Sequence, residues 1–140
     1  MIDSFKGEHV FLSNFSPSVI EVEDKLYPTV EHAYQAFKMT TEEDHEKVRL
    51  TNTAGQAKKL GRNLPIRDDW DQVKIEIMEK LLRLKFAKRD LKQKLLDTGD
   101  QELVEGNYWG DTFWGVCKGK GTNHLGKLLM KLRREYREDS

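Results

Sequence analysis

Pro28-Thr29-Val30-Glu31-His32-Ala33-Tyr34-Gln35-Ala36-Phe37-Lys38 brings a carboxylate, an amide and an amine into helical register. Read as one helix, the stretch has Pro28 at or just before the first turn, where a fixed φ and a missing N–H are no loss, and Thr29 as a cap for the free N–H groups. At about 100° per residue, Val30, Ala33, Tyr34 and Phe37 form a stripe that faces a core. Glu31, Gln35 and Lys38 fall on a neighbouring stripe within about 60° of arc. A carboxylate near the positive end of a helix leans towards its ionised form. The plain alternative is a capping-region glutamate with i,i+4 partners on a solvated face, and this helix by itself favours that alternative.

A second concentration of chemistry lies towards the other end. Gly106-Asn107-Tyr108-Trp109-Gly110-Asp111-Thr112-Phe113-Trp114-Gly115-Val116-Cys117-Lys118-Gly119-Lys120-Gly121-Thr122-Asn123 packs Tyr108, Trp109, Phe113 and Trp114 among five glycines, with Asp111 in the middle. Glycine lets backbone approach a ligand or take φ > 0, and large rings offer flat faces to a planar group. A loop with only a structural duty has little reason to combine the two, and compact loops on a rigid scaffold often carry function. Smaller signals complete the set. Asn14 stands in Leu12-Ser13-Asn14-Phe15-Ser16-Pro17, a polar turn clamped by aromatics, as either a turn residue or a ligand-binding amide; composition alone favours the turn. Lys58, Lys59 and Arg62 make a small cationic patch, ordinarily solvated surface but also fit to receive a phosphate. Lys74 and Lys85 lie beside an apolar helical stripe, where the simplest account is snorkelling to water. His9, His32, Cys117 and His124 show no ligand pair at a useful spacing, so no metal is expected. Cys117 has no evident base partner to make it a nucleophile.

These residues need elements to hold them. Phe5 to Tyr27 predicts a β-rich opening: Val10, Phe11, Leu12 and Phe15 are strand-like, Val19-Ile20-Glu21-Val22-Glu23 alternates as a strand, and Glu23-Asp24-Lys25 turns it into Leu26-Tyr27. This hairpin delivers the chain to the Glu31 helix. Thr40 to Arg62 predicts two short helices. The first is capped at Thr41, with Glu42, Glu43 and Asp44 in its first turn; the second runs from Thr53, with Gly61 at its C-terminal cap. Asn63-Leu64-Pro65-Ile66-Arg67 is a breaker. A long helix follows from about Asp68 to Lys88, its core stripe made by Trp70, Val73, Ile77, Met78, Leu81 and Leu82. Asp90 to Leu96 predicts a further helix that stops at Asp97-Thr98-Gly99, and Leu103-Val104-Glu105 a short strand. Asn123 is the expected N-cap of an amphipathic helix reaching Arg133.

Lys plus Arg and Asp plus Glu number 24 each, so the formal net charge is zero. That argues against a protein living on bulk nucleic-acid backbone and leaves room for a local basic pocket. A length of 140 residues predicts one domain, 1–140, with one real core. No apolar run is long enough for a membrane span, the N-terminus has no signal-peptide h-region, and one cysteine cannot form an internal disulfide. The expectation is a cytoplasmic protein in a reducing compartment.

Several stretches, taken in order, resemble the YbiA-like, or NADAR-domain, N-glycosidases. They are Leu12-Ser13-Asn14-Phe15; Pro28-Thr29-Val30-Glu31-His32 with Gln35 and Lys38; Trp70 with Lys74, Met78, Lys85 and Phe86; Leu103-Val104-Glu105; Trp109-Gly110-Asp111; and Gly121-Thr122-Asn123-His124-Leu125-Gly126 with Leu129, Met130 and Arg133. No single piece is specific; their shared order, from near residue 5 to near residue 135, carries the resemblance. It implies a helix-rich α+β fold with a small N-terminal β-hairpin, and a pocket formed by the Asn14 turn, the Glu31 helix and the Trp109 loop. It implies hydrolysis of a C–N bond between a ribose carrying phosphate and an amine or base. The family's substrates include ribosylamino-pyrimidine phosphates of the early riboflavin pathway and ADP-ribose attached to guanine; repair of ADP-ribosylated guanine within a nucleic-acid strand is a third reading that the sequence leaves open. It makes Glu31 the catalytic carboxylate, puts Trp109 and Asp111 beside it, and counts Asn123 among the substrate contacts. One departure bears on the base side of the pocket: Thr112-Phe113-Trp114-Gly115-Val116-Cys117 stands where some members have a short glycine-rich run.

Breaking such a bond builds positive charge on C1 and the ring oxygen. A carboxylate near C1 stabilises that charge and orients or deprotonates the attacking water, the role expected of Glu31. Asp111 is the best candidate to protonate or hydrogen-bond the leaving nitrogen, which requires one raised and one ordinary carboxyl. Trp109 and Trp114 are expected to stack the planar leaving group, Asn14 and Gln35 to hold ribose hydroxyls, and Lys38, Lys74 and Lys85 to bind phosphate. Lys38 has a second expected role, Schiff-base attack on an opened sugar aldehyde, ranked below attack by water. No cofactor is expected. The rival of a different class is a non-catalytic binder of ADP-ribose or a nucleotide. Glu31 separates the two, because a phosphate ligand disfavours a nearby carboxylate that serves no chemistry.

Overall fold

The computed structural model describes residues 1–139. Among them the elements run from a 3-10 helix (Gly7–Leu12) through β1 (Ile20–Val22), β2 (Lys25–Tyr27), α1 (Val30–Ala36), α2 (Glu42–Arg49), α3 (Ala54–Asn63), α4 (Trp70–Phe86) and α5 (Arg89–Asp97) to β3 (Gly106–Asn107), β4 (Val116–Cys117) and α6 (His124–Glu138). The fold is α+β and helix-rich, as expected. It divides into two compact units, residues 14–85 and residues 1–13 with the chain from Phe86 on. Among the described residues, no helix is long and apolar enough to cross a membrane.

In the 14–85 unit, β1 and β2 form the expected hairpin, in the register Ile20↔Tyr27, Glu21↔Leu26 and Val22↔Lys25. Glu23 and Asp24 turn it at φ 52° and 67°, the left-handed pair that matches strand twist in a two-residue loop. Thr29 caps α1 by accepting the His32 N–H at 3.0 Å. Phe37 ends it, so Lys38 lies one residue past the helix rather than on it. α1 packs against both α2 and α3, and every residue from Val30 to Ala36 is buried. The solvated face available to Glu31 and Gln35 on a two-sided helix therefore does not exist. α3 carries a full capping box between Thr53 and Gln56 and runs on to Asn63, capped at Leu64; Gly61 sits inside it and is not the cap. α4 opens with Trp70, whose ring meets that of Tyr34 at 5.1 Å.

Two neutral histidines brace α1. His32 donates from Nε2 to the Thr51 carbonyl (3.0 Å) and accepts at Nδ1 from the Thr29 hydroxyl (2.8 Å). His45, on α2, accepts at Nε2 from the Tyr27 hydroxyl (2.7 Å) and meets the Ala36 carbonyl on its other side. Tyr27 is a firm donor, since burial pushes its phenol up to about 12. Burial is the leading cause that lowers both imidazoles below their usual 6.5. A folded value below the unfolded one means that the unfolded chain binds more protons, so this stabilisation is complete above pH 6.5 and is lost as pH falls below it. The urea midpoint is expected to decline from about pH 6.5 downwards. His45→Gln should flatten that decline.

In the other unit, Val10, Phe11 and Leu12 are not strand. Local bonds such as Ser13 N–H to the Val10 carbonyl wind them into the 3-10 helix, with Phe11 and Leu12 turned inward. Leu103-Val104-Glu105 contributes one parallel bridge, Leu103 to Ile2. The regular strand begins beyond it, with Gly106↔Val116 and Asn107↔Cys117 paired in parallel. α5 packs on α6 over Leu95, Leu125, Leu129 and Leu132, all buried.

Candidate active site

Glu31 is 7% exposed and Gln35 3%, and Gln35 Nε2 donates to Glu31 Oε2 at 2.6 Å. An i,i+4 pair that adds little on a helix surface is here a charge-assisted bond shielded from water. The Glu31 N–H donates to the Asn14 carbonyl at 3.1 Å, which ties the start of α1 to the 13–17 turn. Asn14 donates weakly from Nδ2 to Met78 Sδ at 3.5 Å. Asn14 Oδ1 and Gln35 Oε1 are both buried with no hydrogen-bond donor. An orphaned amide acceptor such as Asn14 Oδ1, on the turn bonded to the start of the Glu31 helix, is what a hydroxyl-bearing ligand would satisfy.

The turn around Asn14 is not clamped by aromatics. Phe11 packs on Phe86 at 6.5 Å between ring centroids, and the Phe15 ring is largely exposed, with Lys58 Nζ 5.7 Å from its centroid. Lys85 helps to hold the turn instead. It is fully buried, donates to Ser16 Oγ at 2.9 Å, and does not snorkel.

Lys38 Nζ stands 5.3 Å from the centroid of the Tyr34 ring. Among the described residues it closes no ion pair, although Glu31, Arg62, Lys74 and Lys58 all act on its charge. Burial is the largest influence and pushes its ammonium below the usual lysine range. Glu31 pulls it back up, and the three other cations push it further down. Lys74 meets Asp71 at 3.1 Å. Arg62, Lys74 and Lys58 around Lys38 make a positive field suited to an anionic ligand. The sequence marked Lys58 and Arg62 as a patch without joining them to Glu31. Their i,i+4 spacing on α3 was the available signal; the packing of α3 on α1 was not legible.

In the other unit, Asp111 Oδ1 accepts the N–H groups of Phe113 (3.1 Å) and Trp114 (2.9 Å), while Asn107 Oδ1 accepts the Asp111 N–H at 3.0 Å. Trp109 is 46% exposed and stacks edge-on against Tyr108 at 5.2 Å; Trp114 is half-buried against Phe113 at 4.9 Å. Asn123 precedes α6 as expected, but in the left-handed region (φ 58°), and its side chain does not cap. Its Nδ2 donates to the Leu103 carbonyl and its Oδ1 accepts the Glu105 N–H, so the amide clamps the 103–105 segment. Three glycines of this loop, Gly106, Gly115 and Gly121, are required by close packing of the chain itself. A side chain at Gly115 would strike Glu105, and one at Gly121 the Gly115 carbonyl. Among the described residues, no three His, Cys, Asp or Glu side chains converge as a metal site.

Known proteins are similar to this chain along nearly its whole length. N-glycosidase Npun_R5314 of Nostoc punctiforme is 44% identical over 132 residues, which are 89% of this chain and 84% of that protein. N-glycosidase YbiA of Escherichia coli strain K12 is 40% identical over 127 residues, 88% of this chain and 79% of that one. The NMR structure of the E. coli protein YbiA superposes with a TM-score of 0.86 at 36% identity, covering 99% of this chain and 88% of YbiA. Riboflavin biosynthesis protein VVA0006 of Vibrio vulnificus is 40% identical over 134 residues, 93% of this chain but 36% of that longer protein. The NADAR domain model matches residues 3–137, and the chain belongs to the NADAR domain family.

Proposed function

We propose that this chain is an N-glycosidase that hydrolyses the bond between C1 of a phosphorylated ribose and the nitrogen of an amine or base. The observation that carries this reading is Glu31, a buried carboxylate gripped by Gln35 and acting on the charge of Lys38, in a relative of proteins named N-glycosidases. Cleavage leaves an oxocarbenium-like sugar, and Glu31 offsets its charge and steers water to it. Asn14 Oδ1, which lacks a protein donor, takes a ribose hydroxyl, while Gln35 serves the same site through the Nε2 that holds Glu31. Lys38, Lys74, Lys58 and Arg62 neutralise phosphate. Lys85 acts through Ser16 by holding the turn that carries Asn14. In the other unit, Trp109 and Trp114 carry planar faces of the kind a base could stack on, and Asp111 orders the loop that holds Trp114.

A non-catalytic binder would use the same cations, but it gains nothing from a buried carboxylate acting on the charge of Lys38. The likeness to a riboflavin-biosynthesis protein supports a ribosylamino-pyrimidine phosphate as substrate, with ADP-ribosylated guanine as the second class. The test incubates the purified chain separately with a ribosylamino-pyrimidine phosphate and with an ADP-ribosylated guanine oligonucleotide, then weighs the products. Release of ribose 5-phosphate or ADP-ribose with intact base is expected. A folded protein that leaves both substrates whole would refute the activity.

A further inference from the structure

Gly61 is a buried glycine inside α3. Its φ is not positive, so no turn demands it. Glycine in a helix interior is less favourable than alanine, and the position needs another reason. That reason is space. A Cβ at Gly61 would overlap Gln35 Oε1 and lie 3.0 Å from Gln35 Cδ and 3.2 Å from Gln35 Cβ. Gln35 can relieve the overlap only by swinging its amide out of this seat, and the Cβ contact, on an atom bonded to the α1 backbone, asks for a further small shift.

We propose that Gly61 is a positioning residue of the active site: the gap left by its missing side chain seats the Gln35 amide with Oε1 against α3 and Nε2 on the Glu31 carboxylate. The reverse orientation of the amide would set its carbonyl oxygen against the carboxylate. Filling the gap expels Gln35 and releases the grip at 2.6 Å on Glu31 Oε2. This inference rests on the assignment of Glu31 as the catalytic carboxylate, and it adds a residue that never touches substrate.

The experiment compares Gly61→Ala, Gln35→Ala and the double variant with wild type. In Gly61→Ala, kcat is expected to fall about tenfold with KM changed less than about threefold, because a misplaced carboxylate weakens the transition state more than ground-state binding. Loss of an N–H donor to the charged form also moves the acidic limb of the kcat profile to higher pH. The double variant should be no slower than Gln35→Ala alone and should regain the urea midpoint that Gly61→Ala loses, since truncating Gln35 removes the clash. A Gly61→Ala enzyme with wild-type kcat and pH profile, or a double variant whose losses multiply, overturns the proposal. The Gln35 side-chain amide signals in a nitrogen-15 spectrum need no substrate. If wild type hydrolyses nothing, the assigned activity fails, while a shift of those signals in Gly61→Ala still decides whether Gly61 seats Gln35.

Discussion

Glu31→Gln should fold like the wild type and turn substrate over at least about 10³-fold more slowly. The substitution keeps the volume of a side chain that is 7% exposed, so no cavity opens. It keeps an oxygen to accept from Gln35 Nε2, and the backbone bond to the Asn14 carbonyl is untouched. What it removes is the negative charge. An amide neither offsets a developing sugar cation nor takes a proton from water, so the loss should fall on kcat. Glu31→Asp makes a second point: it keeps the charge but withdraws it by about one bond length of roughly 1.5 Å, enough to cost about 10²-fold if placement matters. Product release measured by mass spectrometry, alongside urea unfolding, checks both variants. A Glu31→Gln protein with near-normal kcat would remove Glu31 from the mechanism.

The Glu31 helix was legible because its signals are local: proline ahead of a threonine cap, then apolar residues at helical spacing. Its environment was not. The same arithmetic that found the stripe Val30, Ala33, Tyr34 left Glu31 and Gln35 on an outer face, and only the docking of α2 and α3 buries them. Gly61 misled for a related reason. A glycine two residues before the end of α3 resembles a C-cap, whereas its cause is a glutamine on another helix. Asn123 shows a right position with a wrong side-chain reading, because 103–105 competes for its amide and wins. In the 106–123 loop, composition pointed to ligand approach where much of the glycine serves close backbone packing. Val10 to Leu12 had strand-forming residues and took the 3-10 form from nearby backbone bonds.

Lys38→Met should lose about 10²-fold in kcat/KM while unfolding at the same or a higher urea concentration than wild type. The two halves of that outcome have one cause. Lys38 is half-buried, closes no ion pair among the described residues, and stands in the field of Arg62, Lys74 and Lys58. Its depressed ammonium means that the folded state bears its charge at a cost at neutral pH, and methionine removes that cost while keeping much of the stem. The sign can be checked. Because the folded value lies below the unfolded 10.5, the unfolded wild type holds its proton longer as pH rises. Wild type should therefore gain on Lys38→Met through the alkaline range. Lys38→Arg then separates the two chemical roles. A guanidinium keeps a positive charge for phosphate but never supplies a free amine. Retention of at least about a tenth of the activity in Lys38→Arg, with no new mass on Lys38 when wild type is treated with borohydride during turnover, fits a charge partner beside water attack directed by Glu31. Abolished activity in Lys38→Arg together with a borohydride-dependent adduct on Lys38 would instead make the amine the nucleophile, and the low cost of deprotonating it would be the reason that burial and three neighbouring cations surround it.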